Sequence, residues 1–580
     1  MLKKLSPKDV FVEFKDKDFH IPKGKKISTD YFIFQEEALK MIRQALDNPE
    51  FYPHFIITGQ EGCGKRSGLL ALLQKEYTKK NNLKKFYYSR QSNSILIDSP
   101  PAKDLTPLFD LDRTTTPVIY DPTPNTMSLV GIPADRKYHP GNLVRAYGGY
   151  LILPLFRLVT EPNVFNVLKS CLLNQAIDFI NLPEVNFFQD LDRTLPQFPI
   201  NVRVILIGEE YLVEQLIKKD NSLGDVFKLK IDLEYEADLN QTNIKRFSML
   251  LDSIGKDGYP KIDIRGKKRL FEEALIQNES KTKFSLNVTE TKSIYEEAMV
   301  LFKKKKGTKS IGEKEIQIAI DTMDKRFSLP RKKYYEDLKS GIYNLTLTGK
   351  RLGRINGLSI FTPFGTFQEF GQVNVISSRA LMGTGNFINI EREVNLSGDV
   401  HDKGVFILQS YLKGLFSNFP SLGVDISILF EQNHTLVDGD SATIAELIAT
   451  LSALSGIEIP CDIAITGSMS QYGEVMPVGA ITQKVEAWHE ISSLLGDKKK
   501  IYKVFIPHPN SRDLILSRKV RNTMKTGRFA VYSFSHVSEV IPEIMGLPLG
   551  KIEKDGHFTQ GSILRIIENK LESKKEGDNP

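Results

Sequence analysis

The pattern of apolar and polar positions divides the chain into stretches of different period. Residues 1–50 are mixed and polar and end in FQEEALKMIRQAL, whose apolar positions recur near 3.6 residues and predict an amphipathic helix. The apolar run Phe55-Ile56-Ile57-Thr58 predicts a strand that leads straight into a glycine-rich loop. Helix, strand and loop signals then alternate to about residue 235, the pattern of an α/β core. From about 240 to 335 the period is helical and the polar positions hold many Lys and Glu. The run Lys303 to Lys306 reads as a solvated helix end, where cations are favoured. The helical signal breaks at Pro330, and about 341–435 alternates with frequent glycines, predicting strands. A second α/β segment runs to about 548. Residues 551–580 alternate charges and end KKEGDNP, predicting one short helix that then frays.

These shifts predict an α/β and α+β multidomain protein: an N-terminal segment 1–30, an α/β domain 31–238, a helical domain 239–335, a mixed domain 336–549 and a charged C-terminal tail 550–580. At 580 residues the chain exceeds what one core organises. With 41% apolar and 26% charged residues it has the composition of a soluble globular protein. The net charge of +7 is modest and leaves DNA binding undetermined. MLKKLSPKDVFVEFKDKD has no apolar core after its lysines, so no signal peptide is expected. No apolar run reaches the roughly 18 residues of a membrane helix, so no membrane partner is expected. Cys63, Cys171 and Cys461 form neither a metal-ligand pattern nor a disulfide framework. They point to a reducing cytoplasm and to no metal site.

Gly59-Gln60-Glu61-Gly62-Cys63-Gly64-Lys65-Arg66 fits most of the P-loop pattern G-x-x-x-x-G-K-[ST], between the strand and helix the motif requires. Gly59, Gly62 and Gly64 would let backbone amides approach phosphate, and Lys65 would meet the terminal phosphates. The hydroxyl that should ligate magnesium is missing: Arg66 stands there, and Ser67 is one step out of register. Arg66 could pair with phosphate, or with a carboxylate in an empty pocket. The best candidate for the acidic strand of such a site, Gly148-Gly149-Tyr150-Leu151-Ile152-Leu153, ends in Pro154-Leu155. ATP binding stays open on this reading, hydrolysis is not expected, and no cofactor is required.

The second candidate site lies far downstream. VDISILF, 424–430, reads as a strand, EQNHTLVDGDSAT as a loop, and Ile444, Leu447, Ile448, Leu451 and Leu454 as the stripe of a helix ending at Gly456. Ser441 sits at the loop-to-helix junction, where free backbone amides could stabilise an oxyanion. The alternative is a helix-capping serine. After the short strand CDIAIT and a turn-rich segment, a helix carries Lys484 inside the stripe of Ile481, Val485, Trp488 and Leu495. Such a lysine either snorkels or is buried with a lowered pKa, in which case it can serve as a general base. Asp438 and Asp440 read as loop-ordering groups or N-terminal helix charges rather than as a triad member, and the nearby His434 is not expected to serve as the base.

VDGDSAT followed by CDIAITGSMSQYGEVMPVGAITQKVEAW resembles the proteolytic domain of the Lon proteases, particularly the archaeal-style B branch. NIEREVNLSGDVHDKGVFILQSYL, IPHPNSRDL and RINGLSIF resemble further segments of that domain. TPVIYDPTPNTMSLVG, GGYLILPL and INVRVILIGEEYLV resemble the ATPase half of a bacterial Lon-like subgroup. The resemblance spans about 30–548. It implies an AAA+-like P-loop domain over 31–238, a helical AAA+ lid over 239–335 and a Lon-type Ser–Lys protease domain over 336–549. It also implies that Ser441 is the nucleophile, Lys484 the base and Thr466 the group that orients the lysine. The ATPase half departs from the family at Arg66 and Pro154, and carries only a short Lys-rich segment around 75–90 where relatives have a long insertion. Thr443 and Ala480 replace small residues or glycine and should be tolerated. The implied activity is cleavage of unfolded or damaged proteins in a homo-hexameric ring, serving protein quality control. A non-catalytic scaffold and a conventional ATP-dependent Lon protease are the alternatives.

Overall fold

The computed structural model describes residues 2–20, 32–80, 84–98, 103, 105–111, 115–134, 137–179, 181–182, 196–303, 310–362, 369–417 and 423–576. Most of the Lys303–Lys306 run lies outside them. Near the N-terminus, β1 (Lys3–Leu5) is followed by a connector that includes Phe14 and Phe19. Helix α1 (Glu36–Asp47) buries Ala38, Leu39, Ile42, Ala45 and Leu46, the stripe its periodicity predicts.

The first domain is a parallel sheet in the order β6 (Leu229–Asp232), β2 (Phe55–Thr58), β5 (Val202–Gly208), β4 (Gly149–Pro154), β3 (Val118–Tyr120). The central strands are buried on both faces and so read as continuous apolar runs. The glycine-rich loop follows β2 and opens α2 (Lys65–Leu72). Beyond the loop, Lys84–Ser89, Ser94–Ile97 and Leu105–Leu111 form a small antiparallel sheet. The first of these strands lies within the Lys-rich segment itself.

The helical domain contains α3 (Gln241–Ile254), α4 (Ile264–Gln277), α5 (Val288–Phe302) and α6 (Glu313–Phe327). Asn240, Asp263 and Asn287 cap three of them through their side chains. Its core includes Phe247, Phe271, Phe284 and Tyr295, and also takes in Phe14 and Phe19 from the N-terminal connector. Pro330 was expected to end the helical pattern. It lies instead in the first turn of a new helix, α7 (Leu329–Ser340), where a missing N–H costs nothing. Tyr334 and Leu338 of α7 pack into the following domain's core, so the change of domain falls inside a helix.

The last domain is an eight-stranded mixed sheet. In spatial order it reads β1, β13 (Phe529–Phe534), β12 (Tyr502–Pro507), β11 (Ile463–Ile465), β7 (Arg354–Phe361), β8 (Phe370–Met382), β10 (Val424–Phe430) and β9 (Phe387–Asn389). The N-terminal strand is therefore an edge of this sheet, antiparallel to β13 from Lys3–Ser533 to Leu5–Val531. Helices α8 (Asp399–Leu415) and α9 (Thr443–Ser455) pack on one face, with α11 (Val537–Met545) beside α9. Helix α10 (Ile481–Leu495) packs against β7, β8 and β12, in a second core. Residues 550–580, read as a charged tail, contribute a core helix instead: α12 (Ile563–Glu576) packs on α9 with Ile563, Leu564, Ile567 and Leu571 buried. Its apolar positions lie among Lys and Glu, and only the neighbouring α9 gives them a surface to bury against. Among the described residues no helix is long and apolar enough to cross a membrane.

Leu564→Ala should therefore lower the stability of this domain by about 2–5 kcal/mol, read from the shift of its urea transition, whereas a residue in a solvated tail would change it by less than about 0.5 kcal/mol.

Candidate active site

Strand β10 alternates inward Val424, Ile426, Ile428 and Phe430 with half-exposed residues and delivers the loop that ends at Ser441. Helix α9 is buried along nearly its whole length, which makes its start a rigid platform. Ser441 does not cap it: the N-cap position is Ala442, and no side chain bonds to the helix start. The turn is knitted by its neighbours. The Ser441 carbonyl accepts from the Gly467 N–H at 2.8 Å and from the Thr466 hydroxyl at 3.2 Å. The Asp440 carbonyl accepts from the Thr443 N–H at 3.2 Å and from its hydroxyl at 2.7 Å. The Asp440 carboxylate accepts from Ser468 Oγ at 2.6 Å. A hydroxyl at position 443 is thus part of the turn. Helix α8 comes close here, since a Cβ on Gly404 would lie 2.6 Å from Thr443 Oγ1.

Lys484 lies one turn into α10, beside buried Ile481, Val485 and Trp488. Its residue exposure is only 4%, which rules out snorkelling. Lys484 Nζ donates to Ser441 Oγ at 2.9 Å. Burial pushes the amine's pKa down to about 8, against the opposing pull of Glu279 and Asp440. The lowered pKa brings the neutral amine within reach of ordinary working pH. A neutral amine at this distance can accept the serine proton. The Ser441 and Ala442 N–H groups make no hydrogen bond among the described residues. These two adjacent donors could receive an oxyanion. Thr466 is fully buried beside the pair, but its hydroxyl is turned to the Ser441 carbonyl and makes no hydrogen bond to Lys484. It holds the serine's backbone where the resemblance implied a hold on the lysine.

The P-loop residues come together differently. Lys65 Nζ donates to the loop's own carbonyls, Gly59 at 2.5 Å and Gln60 at 2.6 Å. The Arg66 guanidinium lies 5.4 Å from the centre of the Tyr120 ring, a cation–π contact rather than an ion pair. The Gly62 carbonyl accepts from the N–H of Thr289 at 3.3 Å, at the start of lid helix α5. A Cβ on Gly62 would fall 1.9 Å from Asn287 Oδ1, so only glycine fits under this contact. Strand β4 ends in Pro154, and the buried carboxylate after β3, Asp121, is occupied by Ser128, Asn142 and the Thr123 N–H. This donor set does not fit a magnesium nucleotide. Gly59 and Gly64 do have the left-handed or extended geometry of a P-loop, with φ of 157° and 85°.

A second polar cluster near Ser441 escaped sequence reading. His401 Nε2 lies 2.9 Å from Glu446 Oε1, and Ser397 Oγ lies 2.8 Å from His401 Nδ1, with both His401 and Glu446 buried. Burial opposes the charged imidazole, but the Glu446 hydrogen bond and charge win and raise its pKa. The pair ties α8 to α9. Its one sequence signal is a histidine and a glutamate inside otherwise apolar helical stripes. His434, by contrast, is exposed. The one trio with ligand-type atoms within 4.8 Å among the described residues is His557, Glu568 and Glu572, where Glu568 is already engaged by Arg565 at 2.7 Å.

A P-loop α/β domain with a helical lid, followed by a mixed domain that sets a buried lysine against a serine, defines an AAA-type module joined to a peptidase domain. The family model for the Lon protease (S16) C-terminal proteolytic domain matches residues 343–546, and that for the LonB-like AAA domain matches 114–234. The chain belongs to the Lon protease family. It is 26% identical to a Lon protease homologue of Haemophilus influenzae over 77% of this chain and 72% of that protein. It is 27% identical to a homologue of Escherichia coli over 71% and 69% respectively. An archaeal Lon protease of Archaeoglobus fulgidus is 30% identical over 37% of this chain and 31% of its own length.

The geometry predicts that labelling of Ser441 by a fluorophosphonate rises with pH through about 8, because the lysine must lose its proton. Lys484→Arg should abolish that labelling between pH 6 and about 10, since a guanidinium keeps its proton throughout.

Proposed function

We propose that this protein is a serine endopeptidase that cleaves unfolded or damaged protein chains with a Ser441–Lys484 dyad and without ATP hydrolysis. The observation that carries the reading is the 2.9 Å contact between a buried amine and the Ser441 hydroxyl. Neutral Lys484 accepts the hydroxyl proton as Ser441 Oγ attacks the scissile carbonyl. The Ser441 and Ala442 amides receive the developing oxyanion, and Thr466 and Gly467 keep them aimed by holding the Ser441 carbonyl. The lysine then gives its proton to the leaving amine, and the C–N bond breaks. Water, deprotonated by the same amine, cleaves the acyl-enzyme and restores the hydroxyl. An extended substrate lies along an exposed strand edge.

Arg66, Pro154 and the engagement of the P-loop by Thr289 support a first domain that assembles rather than hydrolyses. Its family membership supports a homo-hexameric ring that encloses the serines in the cytoplasm. Without a motor, substrates must arrive already unfolded.

Casein incubated with the full-length chain should be cleaved equally with and without ATP, and Lys65→Ala should leave the rate unchanged. Ser441→Ala should lower kcat by on the order of 10³–10⁶-fold. Full cleavage by Ser441→Ala would refute the nucleophile, and stimulation by ATP that Lys65→Ala abolishes would refute the ATP-independent reading.

A further inference from the structure

Helix α10 carries Lys484 but does not cap itself. Its N-cap residue is Ala480, in a left-handed conformation with φ of 54° and with no side chain able to bond the first amides. An alanine there is strained by about 1 kcal/mol, and the first N–H groups of the helix need partners from elsewhere. The partner comes from the lid, some two hundred residues earlier in the chain. Glu279 Oε1 accepts from the Thr482 N–H at 3.3 Å.

Glu279 is held in place by the turn it belongs to. It follows the C-terminus of α4 with a left-handed φ of 45°, which sends its side chain away from the lid. The next two residues both bond to the peptidase domain. Ser280 Oγ and the Lys281 N–H donate to Asp513 Oδ1 at 3.2 and 3.3 Å. Lys281 Nζ donates to the Asp9 carbonyl at 2.6 Å and to the Ser511 carbonyl at 3.0 Å. Asn510, in the same loop as Ser511 and Asp513, exchanges two 2.9 Å bonds with the backbone of Val478, two residues before Ala480. A closed chain of bonds thus joins the lid turn 279–281, the loop 510–513 and the start of α10.

We infer that Glu279 is a positioning residue of the peptidase site, through which the helical lid caps the helix that carries Lys484 and brings a negative charge within electrostatic reach of its amine. The inference rests on the Ser441–Lys484 reading. Two carboxylates act on the lysine, Glu279 from the lid and Asp440 from the serine's own turn, while burial, with a smaller push from the Glu369 charge, holds the Glu279 carboxyl above its usual value. Glu279 favours protonated Lys484, opposing burial, so it sets where the acid limb of the reaction falls. Docking of the lid and readiness of the dyad become one property.

The test compares pH profiles of kcat/KM for casein cleavage by the wild-type chain, Glu279→Gln and Glu279→Ala, with fluorophosphonate labelling rates as a second readout of the same limb. Glu279→Gln keeps an acceptor for the helix amides and removes the charge. Its acid limb should move to lower pH by about one unit, with the plateau kcat within about two-fold of wild type. Glu279→Ala also loses the cap and should lose about five-fold or more in plateau kcat with KM little changed. A Glu279→Gln limb that superimposes on that of an active wild-type chain overturns the inference alone. Absence of Ser441-dependent cleavage and labelling in the wild-type chain overturns the dyad reading, and this inference with it.

Discussion

Lys484 carries its amine out of water and into contact with the Ser441 hydroxyl, and a buried cation of this kind is costly unless its surroundings hold it. The protein lowers that cost by making the neutral amine easier to reach than in water. Trp488, Val485 and Ile481 dry the helix face around it, and two carboxylates oppose the shift, leaving the amine's pKa pushed down to about 8. The serine side is made equally rigid. The buried helix α9, the Thr466 and Gly467 bonds to the Ser441 carbonyl and the Asp440–Ser468 contact leave the turn little freedom. His401 and Glu446 extend the same brace to α8.

The three domains share cores and bonds more than their linear order suggests. The N-terminal strand is an edge of the peptidase sheet, while Phe14 and Phe19 a few residues on belong to the lid core. The lid touches both functional regions. Thr289 bonds the P-loop at Gly62, and Glu279, at the end of the neighbouring helix, bonds the start of the lysine helix. Arg66 lies over the Tyr120 ring and Lys65 bonds to its own loop, so both cations of the P-loop are engaged within the protein.

Elements with a strong period were legible in the sequence. The strand 424–430, the helix ending at Gly456 and the stripe of α10 stand where the apolar pattern puts them. Two signals misled for identifiable reasons. Pro330 reads as a stop, yet proline is equally suited to a first turn, and only the chain before it decides which. The C-terminal segment reads as a charged tail because α12 is amphipathic with a narrow stripe, and its burial depends on a surface formed over a hundred residues earlier. Thr466 became a candidate only through the resemblance, and its bond to a backbone carbonyl has no side-chain signature.

The sequence by itself determined the family, the α/β class, the presence of Arg66 and Pro154 at the two positions where the P-loop pattern expects a hydroxyl and an acid, and the candidacy of Ser441 and Lys484. Each of these is a matter of residue type at a position in a local pattern. Only the tertiary structure decided that Ser441 is not a cap, that Lys484 does not snorkel, and that Glu279 reaches the lysine helix from another domain. Those outcomes depend on desolvation and on hydrogen bonds between residues 43 to 203 positions apart, and no local period carries that information.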